Sequence, residues 1–541
     1  MPIQNPLLKN PPVIKKLTKT KSFIISAIAL SLIACSDDSV NHYSPGSFDH
    51  AQKQLQQALD HKPNTNKAKG IILFVGDGMS IATVTASRIY AGQQLGQPGE
   101  EYQLNFESFP YTGLAKTYNT NQQTPDSAGT MTAMITGSKT KAGLISVNTL
   151  ATRADPASCN GFELETLLET AEDNNWATGI VTTTTVTHAT PAAAYAHSPE
   201  RNWESDGALP ESTEETADLG CKDIAHQLID FNYGDGIEVV LGGGRSHFLP
   251  KEISEVTDAS EAAQVETFAA GKRDDGRNLI EEWRSKKSKR VYVSNSDELA
   301  AVNIKKTKQL FGLFSQSHLE FEADRITNAD GQPSLTAMVE TAISMLQKNK
   351  RFLLIVESGR IDHAHHAGNA YRALEEAVEF DNAVAKAMEL VDSEKTLMIV
   401  TADHSHTMTL AGYPTRGNPI LGFVKGNDSA GNPEQKVTLA KDNNPYTTLS
   451  YANGPGYFNQ PMDKSNPYAR YLGPAKSGRH TTLSDDPESP YYHQEANIPM
   501  QAETHAGDDV AVFAQGPWAH LLTGVIEQNY IYHVMKHAGD L

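Results

Sequence analysis

Cysteine is scarce in this sequence. Only Cys35, Cys159 and Cys221 occur among 541 residues, which leaves no cysteine-built metal cluster and room for at most one intramolecular pair once Cys35 is set apart. Low-complexity tracts are nearly absent and no internal repeat stands out, so the chain reads as one large globular domain with insertions. Long apolar runs are also wanting. The segment Phe23 to Ala34 is too short to span a bilayer comfortably as a permanent helix. Basic charge is the remaining deficit: 46 Lys and Arg stand against 65 Asp and Glu, a net of −19. That balance argues against nucleic acid as a partner, and an anionic substrate would need a locally positive site.

The first residues read as an export signal. Lys15, Lys16, Lys19 and Lys21 precede the apolar segment. It ends in Leu32-Ile-Ala-Cys35, which resembles a bacterial lipobox, with Cys35 as the lipid-bearing residue after cleavage of residues 1–34; the plainer alternative is an ordinary secretory signal. Ser36 supplies no inner-membrane retention signal, which points to the outer membrane or cell surface, or otherwise to the periplasm. Without residues 1–34 the net charge becomes −24. In an exported protein Cys159 and Cys221 read as one disulfide, two buried thiols being the other reading.

Residues 35–67 read as a polar tether with a short helix from Phe48 to Leu59. From Lys69 onward strand-like and helix-like segments alternate. Residues 68–541 are therefore expected to form an α/β domain, a largely parallel central sheet flanked by helices on both faces. Four apolar runs, Gly70–Val75, Gly179–Thr185, Phe352–Val356 and Leu397–Val400, each deliver acids or histidines just past their ends. Open α/β sheets place their sites at that carboxyl edge. Residues 407–502, rich in Gly, Pro, Asn, Asp and Tyr, read as an insertion.

The densest chemistry lies in Glu357-Ser-Gly-Arg-Ile-Asp362-His363-Ala-His365-His366. On a helix Asp362 and His366 stand one turn apart on one face and can grip one ion. Asp77, Asp403 and His404 offer a second oxygen-and-nitrogen set, suited to Zn²⁺ in an open catalytic site. Gly76-Asp-Gly78 could also begin a dinucleotide loop, but Ile81 occupies the third glycine position. Ser127, in Thr124-Pro-Asp-Ser127, opens a helical stretch where peptide dipoles favour an anion and a nearby metal would activate the hydroxyl. Arg201 is the cation available for phosphate oxygens.

Taken in order, these motifs resemble the alkaline phosphatases, in the animal-type and marine bacterial branch: Gly76-Asp-Gly-Met79, Asp126-Ser-Ala128, His188-Ala-Thr-Pro191, Arg201-Asn-Trp203, Glu357 to His363, Thr401-Ala-Asp-His404 and Glu503-Thr-His-Ala-Gly507. The resemblance implies two Zn²⁺ and one Mg²⁺ per chain. Asp362, His366 and His505 would hold one zinc, and Asp77, Asp403 and His404 the other, with Ser127 as nucleophile. Asp77, Thr190 and Glu357 would hold magnesium, with His188 and His363 behind it. Cys159 and Cys221 match a disulfide of the animal-type branch. Ser315 stands where animal enzymes carry an acid for an extra Ca²⁺, so the resemblance does not extend to that ion. The implied reaction is hydrolysis of phosphate monoesters to an alcohol and inorganic phosphate at alkaline pH, through a phosphoserine, in a homodimer with a crown-like insertion at 407–502. The rivals are a phosphodiesterase on the same scaffold and a non-catalytic metal-binding lipoprotein.

Overall fold

The computed structural model describes residues 46–210, 219–251, 271–325, 331–459 and 486–541. The export signal, Cys35 and part of the 407–502 insertion lie outside these residues. Contacts divide the chain into residues 1–62 and 63–541. In the first, Ser47 caps the helix Phe48–Asp60, which buries none of its side chains.

In the second unit, eight strands are β1 (Gly70–Gly76), β2 (Tyr111–Lys116), β3 (Ala177–Thr185), β4 (Val239–Gly243), β5 (Arg290–Val293), β6 (Gln309–Leu313), β7 (Phe352–Ser358) and β8 (Thr396–Thr401). With Val510–Gln515 and Gly524–Glu527 they form a ten-stranded sheet. Its order is Gly524–Glu527, β2, Val510–Gln515, β8, β1, β7, β3, β4, β6, β5. Every neighbouring pair is parallel except those of Val510–Gln515, which runs antiparallel to β2 and β8. The apolar runs explain the centre. β1, β7 and β8 are buried at every position, as strands covered on both faces must be. Helices Leu335–Leu346 and Ala370–Leu390 pack on one side, and Leu167–Asp173 and Tyr530–Gly539 on the other.

Register brings the functional ends together. Val75 of β1 lies opposite Glu357 of β7 and Thr401 of β8, and Glu357 lies opposite Thr182 of β3. Asp77 and Asp403 follow two residues beyond. The turn after β1 requires glycine: Gly78 has φ +69°, and a Cβ there would come within 2.3 Å of the His406 ring. Gly244, after β4, makes a structural turn, its amide donating to the carbonyls of Ser315 and Ser317 at 3.1 and 2.7 Å.

Within 407–502, Met408–Leu410, Leu449–Gly454 and Ala496–Pro499 form a small sheet. Met408, Ile420, Leu449 and Tyr451 share a core with Tyr90 and Leu374 of the main body, so the base of this region is anchored on the helices beside the site.

Candidate metal and catalytic site

Asp362 and His366 lie on the helix Arg360–His366, with His366 Nε2 3.3 Å from Asp362 Oδ1. His505, 139 residues further along, completes this group: its Nε2 is 3.3 Å from Asp362 Oδ1 and 3.1 Å from His366 Nε2. Both imidazoles are oriented from behind. His366 Nδ1 donates to the Glu503 carbonyl at 2.6 Å and His505 Nδ1 to the Pro125 carbonyl at 2.8 Å. With Nδ1 protonated, Nε2 carries the lone pair a metal needs.

Next to it, His404 Nε2 lies 3.5 Å from Asp77 Oδ1 and 3.2 Å from Asp403 Oδ2. The His404 and His505 rings stack at 3.6 Å, so the two groups adjoin. Asp77 faces a third group with Glu357 and His188. Glu357 Oε2 accepts from the Thr182 and Thr184 hydroxyls.

The fit of these residues to cations can be read from what they fail to bond. Both Asp77 carboxylate oxygens, Glu357 Oε1 and Thr190 Oγ are buried with no hydrogen-bond partner among the described residues. Leaving such groups unpaired is costly. Burial, and then the charges of Asp403, Asp362 and Glu357, push Asp77 well above the ordinary carboxylate range. Divalent cations would both pair those oxygens and offset that repulsion.

Ser127 is the first residue of the helix Ser127–Thr136, capped by Asp126 through the Gly129 amide. Its hydroxyl lies 3.2 Å from His404 Nε2. Arg201 donates from Nη1 to Asp126 Oδ2 at 3.1 Å and from Nη2 to His188 Nε2 at 3.2 Å. Burial disfavours the Asp126 charge, yet Arg201 and the Gly129 and Gly143 amides hold its pKa below the usual value. Burial, with Arg201 beside it, lowers His188 to about 4, so it accepts as a neutral ring. His363 Nδ1 accepts from Arg360 at 2.9 Å, and its ring packs 5.7 Å from that of His188, on the Glu357 side.

The structure thus brings together Asp77, Ser127, His188, Thr190, Arg201, Glu357, Asp362, His363, His366, Asp403, His404 and His505. His365, unassigned from sequence, is structural: it bonds Thr83 and Tyr451 at 3.0 and 2.9 Å. Sequence reasoning missed His406 and Glu503 as participants. His406 lies between Asp362 at 2.7 Å and the Glu503 carboxylate at 2.5 Å. Burial opposes its charge, but the two carboxylates outweigh it and raise its pKa to about 10. The spacing Asp403-His404-Ser-His406 was the available signal. Away from the centre, a disulfide joins Cys159 and Cys221.

A mostly parallel sheet with carboxylates, imidazoles and a helix-opening serine at its carboxyl edge defines an α/β enzyme built around divalent metals. The sequence matches the alkaline phosphatase family model over residues 68–541. It is 47% identical to the tissue-nonspecific isozyme of alkaline phosphatase from Gallus gallus over 493 residues, 90% of this chain and 88% of that protein. It is 43% identical to an alkaline phosphatase from Gadus morhua, over 91% of this chain and 96% of the other. Among solved structures, the Thermus thermophilus alkaline phosphatase shares the fold with a TM-score of 0.59 at 24% identity, covering 92% and 95% of the two chains. That of the Antarctic bacterium TAB5 does so at 0.54 and 20%, over 88% and 99%. The chain belongs to the alkaline phosphatase family.

Proposed function

We infer that this enzyme hydrolyses phosphate monoesters, releasing an alcohol and inorganic phosphate through a phosphoserine at Ser127. The observation that carries this reading is a serine at a helix start whose hydroxyl lies 3.2 Å from His404 Nε2, with Arg201 anchored on the preceding residue, Asp126. The Asp362, His366, His505 and Asp77, Asp403, His404 sets suit two Zn²⁺, and the all-oxygen set Asp77, Thr190, Glu357 suits one Mg²⁺. When bound, such ions supply Lewis acidity, neutralising phosphoryl charge and lowering the pKa of the serine hydroxyl and of the attacking water.

The chain's own groups set the geometry. The helix start at Ser127 favours negative charge on Oγ as it attacks phosphorus. Arg201 uses one N–H on Asp126 and one on His188, and its remaining donors can meet phosphoryl oxygens. His406 and Glu503 hold Asp362 in place from behind. Arg201, together with a third cation that Thr190 and Glu357 would help to hold, favours a monoester over a diester, since a terminal phosphoryl group offers more free oxygens and more negative charge to the guanidinium and the cations.

The same reading extends to the rest of the chain: a signal peptide at 1–34, a tether and helix at 35–67, and a catalytic domain at 68–541 with a crown-like insertion at 407–502. It further takes the protein to be exported, lipid-anchored at Cys35 and homodimeric. Metabolic labelling with a radioactive fatty acid, lost in Cys35→Ser, tests the anchor, and sedimentation by analytical ultracentrifugation tests the dimer. For the reaction, Ser127→Ala is expected to abolish phosphoserine labelling and nearly all monoesterase activity while bound metal is retained. Unchanged turnover would sink the mechanism, and faster turnover of a diester or sulfate ester than of a monoester would reassign the substrate.

A further inference from the structure

Arg201 rides on a loop, residues 197–204, without helix or strand structure of its own. Bonds to neighbouring segments hold it. Ser198 and Ile145 exchange both backbone bonds at 2.9 Å. The Arg201 amide donates to the Gly143 carbonyl, and the Ala154 amide to that of Pro199, each at 3.0 Å. Beyond Arg201, the Ile224 and Ala225 amides donate to the Trp203 and Glu204 carbonyls at 2.9 and 3.2 Å. The Cys159–Cys221 bridge ties these two flanking segments to each other.

One bidentate ion pair is added to this frame. Arg153 donates from Nε and Nη2 to the two oxygens of Glu200 at 2.8 and 3.1 Å. The Glu200 carboxylate also accepts the Asn202 amide at 3.0 Å. It therefore spans Arg201, joining the residue before it to the residue after. The Arg153 guanidinium lies so close over Gly143 that a Cβ there would come within 2.2 Å of it. Gly143 in turn donates to Asp126 at 2.9 Å and receives the Arg201 amide. Arg153 thus touches both supports of Arg201, the Glu200 turn and the Gly143 link to Asp126. The Arg153 side chain is 45% exposed but that of Glu200 only 9%, so the pair is open to solvent on one side alone, and without Arg153 a nearly buried carboxylate would keep only the Asn202 amide. The leverage of the pair is on the aim of one guanidinium.

We propose that Arg153 is a positioning residue for phosphate recognition, clamping Glu200 so that Arg201 is presented to the phosphoryl group in one orientation. This rests on the reading of Arg201 as the phosphate-binding cation. A guanidinium that is no longer held in one orientation binds phosphoryl oxygens more weakly in substrate and product alike, so the clamp should show in the phosphate-dependent constants. Steady-state kinetics on p-nitrophenyl phosphate, with inorganic phosphate as inhibitor, provide the test. In Arg153→Ala, KM and the phosphate inhibition constant are expected to rise together by about fivefold with kcat per folded enzyme held. Arg153→Lys should recover part of the loss. Glu200→Gln is the deciding arm. If Arg153 acted through its charge alone, removing the Glu200 charge would tighten phosphate; the clamp requires it to weaken. The double variant should be no worse than Arg153→Ala. Unmoved KM and inhibition constants in Arg153→Ala, or tighter phosphate in Glu200→Gln, would overturn the proposal. So would a loss of folded fraction with KM unchanged, which marks a purely structural role. Arg201→Ala separates the two claims: if it leaves both constants unmoved, the phosphate role of Arg201 itself fails.

Discussion

Glu238 gives the sharpest test of the electrostatics, and it lies at the amino-terminal edge of the sheet, away from the candidate metal site. Its carboxylate accepts the Thr178 amide at 2.7 Å, and only 8% of the residue is exposed. Burial, then the charge of Glu172, pushes its pKa from 4.5 up to about 9. The surrounding titratable groups are Glu172 on the helix Leu167–Asp173, itself raised to about 7 by burial, Asp235 on the preceding turn, and Lys348, which feels the Glu238 charge. A carboxyl with a raised folded pKa keeps its proton in the native state and loses it on unfolding. Between pH 4.5 and about 9 the native state binds more protons, so stability falls as pH rises. Each pH unit within that window is worth about 1.4 kcal/mol. From pH 6 to pH 9 the loss is about 3 kcal/mol after allowance for residual solvent contact. Glu238→Gln keeps volume and acceptor but cannot ionise. For a unit spanning residues 63–541 the unfolding entropy is about 1 kcal/mol/K, so the variant should gain about 3 °C more over wild type at pH 9 than at pH 6. Scanning calorimetry of both proteins at both pH values, with matched metals and scan rate, reads this double difference. A gap that does not change with pH would refute a neutral Glu238 in the fold.

Other outcomes follow from the same structure. Chelation of divalent ions at constant pH leaves the buried carboxyls of Asp77, Glu357 and Asp403 without a cation among them; it should lower the melting temperature by about 4 °C, restored by Zn²⁺ and Mg²⁺ but not by a monovalent salt. Replacing Cys159 and Cys221 by Ser opens a bridge between residues 62 apart and should cost about 4 kcal/mol, measured by urea unfolding. Gly78→Ala imposes a strained φ and crowds His406, which supports Asp362; elemental analysis should find less retained divalent metal and activity should fall in step.

Much of the site was legible because its parts are local. Asp362 and His366 lie one helical turn apart, Ser127 follows its own cap Asp126, and buried parallel strands announce themselves as continuous apolar runs. His406 was less legible. Its neighbour His404 reads as a ligand, whereas the part His406 plays depends on the Glu503 carboxylate, 97 residues away. His365, which looks like a fourth ligand in its cluster, instead finds Thr83 and Tyr451 in the packed structure.

The sequence by itself determined the alternation of strand and helix, the chemical types gathered at strand ends and the excess of acid that any anion site must overcome. These follow from periodicity and composition, which act over a few residues. The tertiary structure alone decided which groups each histidine meets and how Arg201 is held. Those outcomes depend on the register of β1, β7 and β8 and on the close approach of Gly143, Arg153 and Glu200, contacts between segments whose meeting is fixed only when the shared core closes.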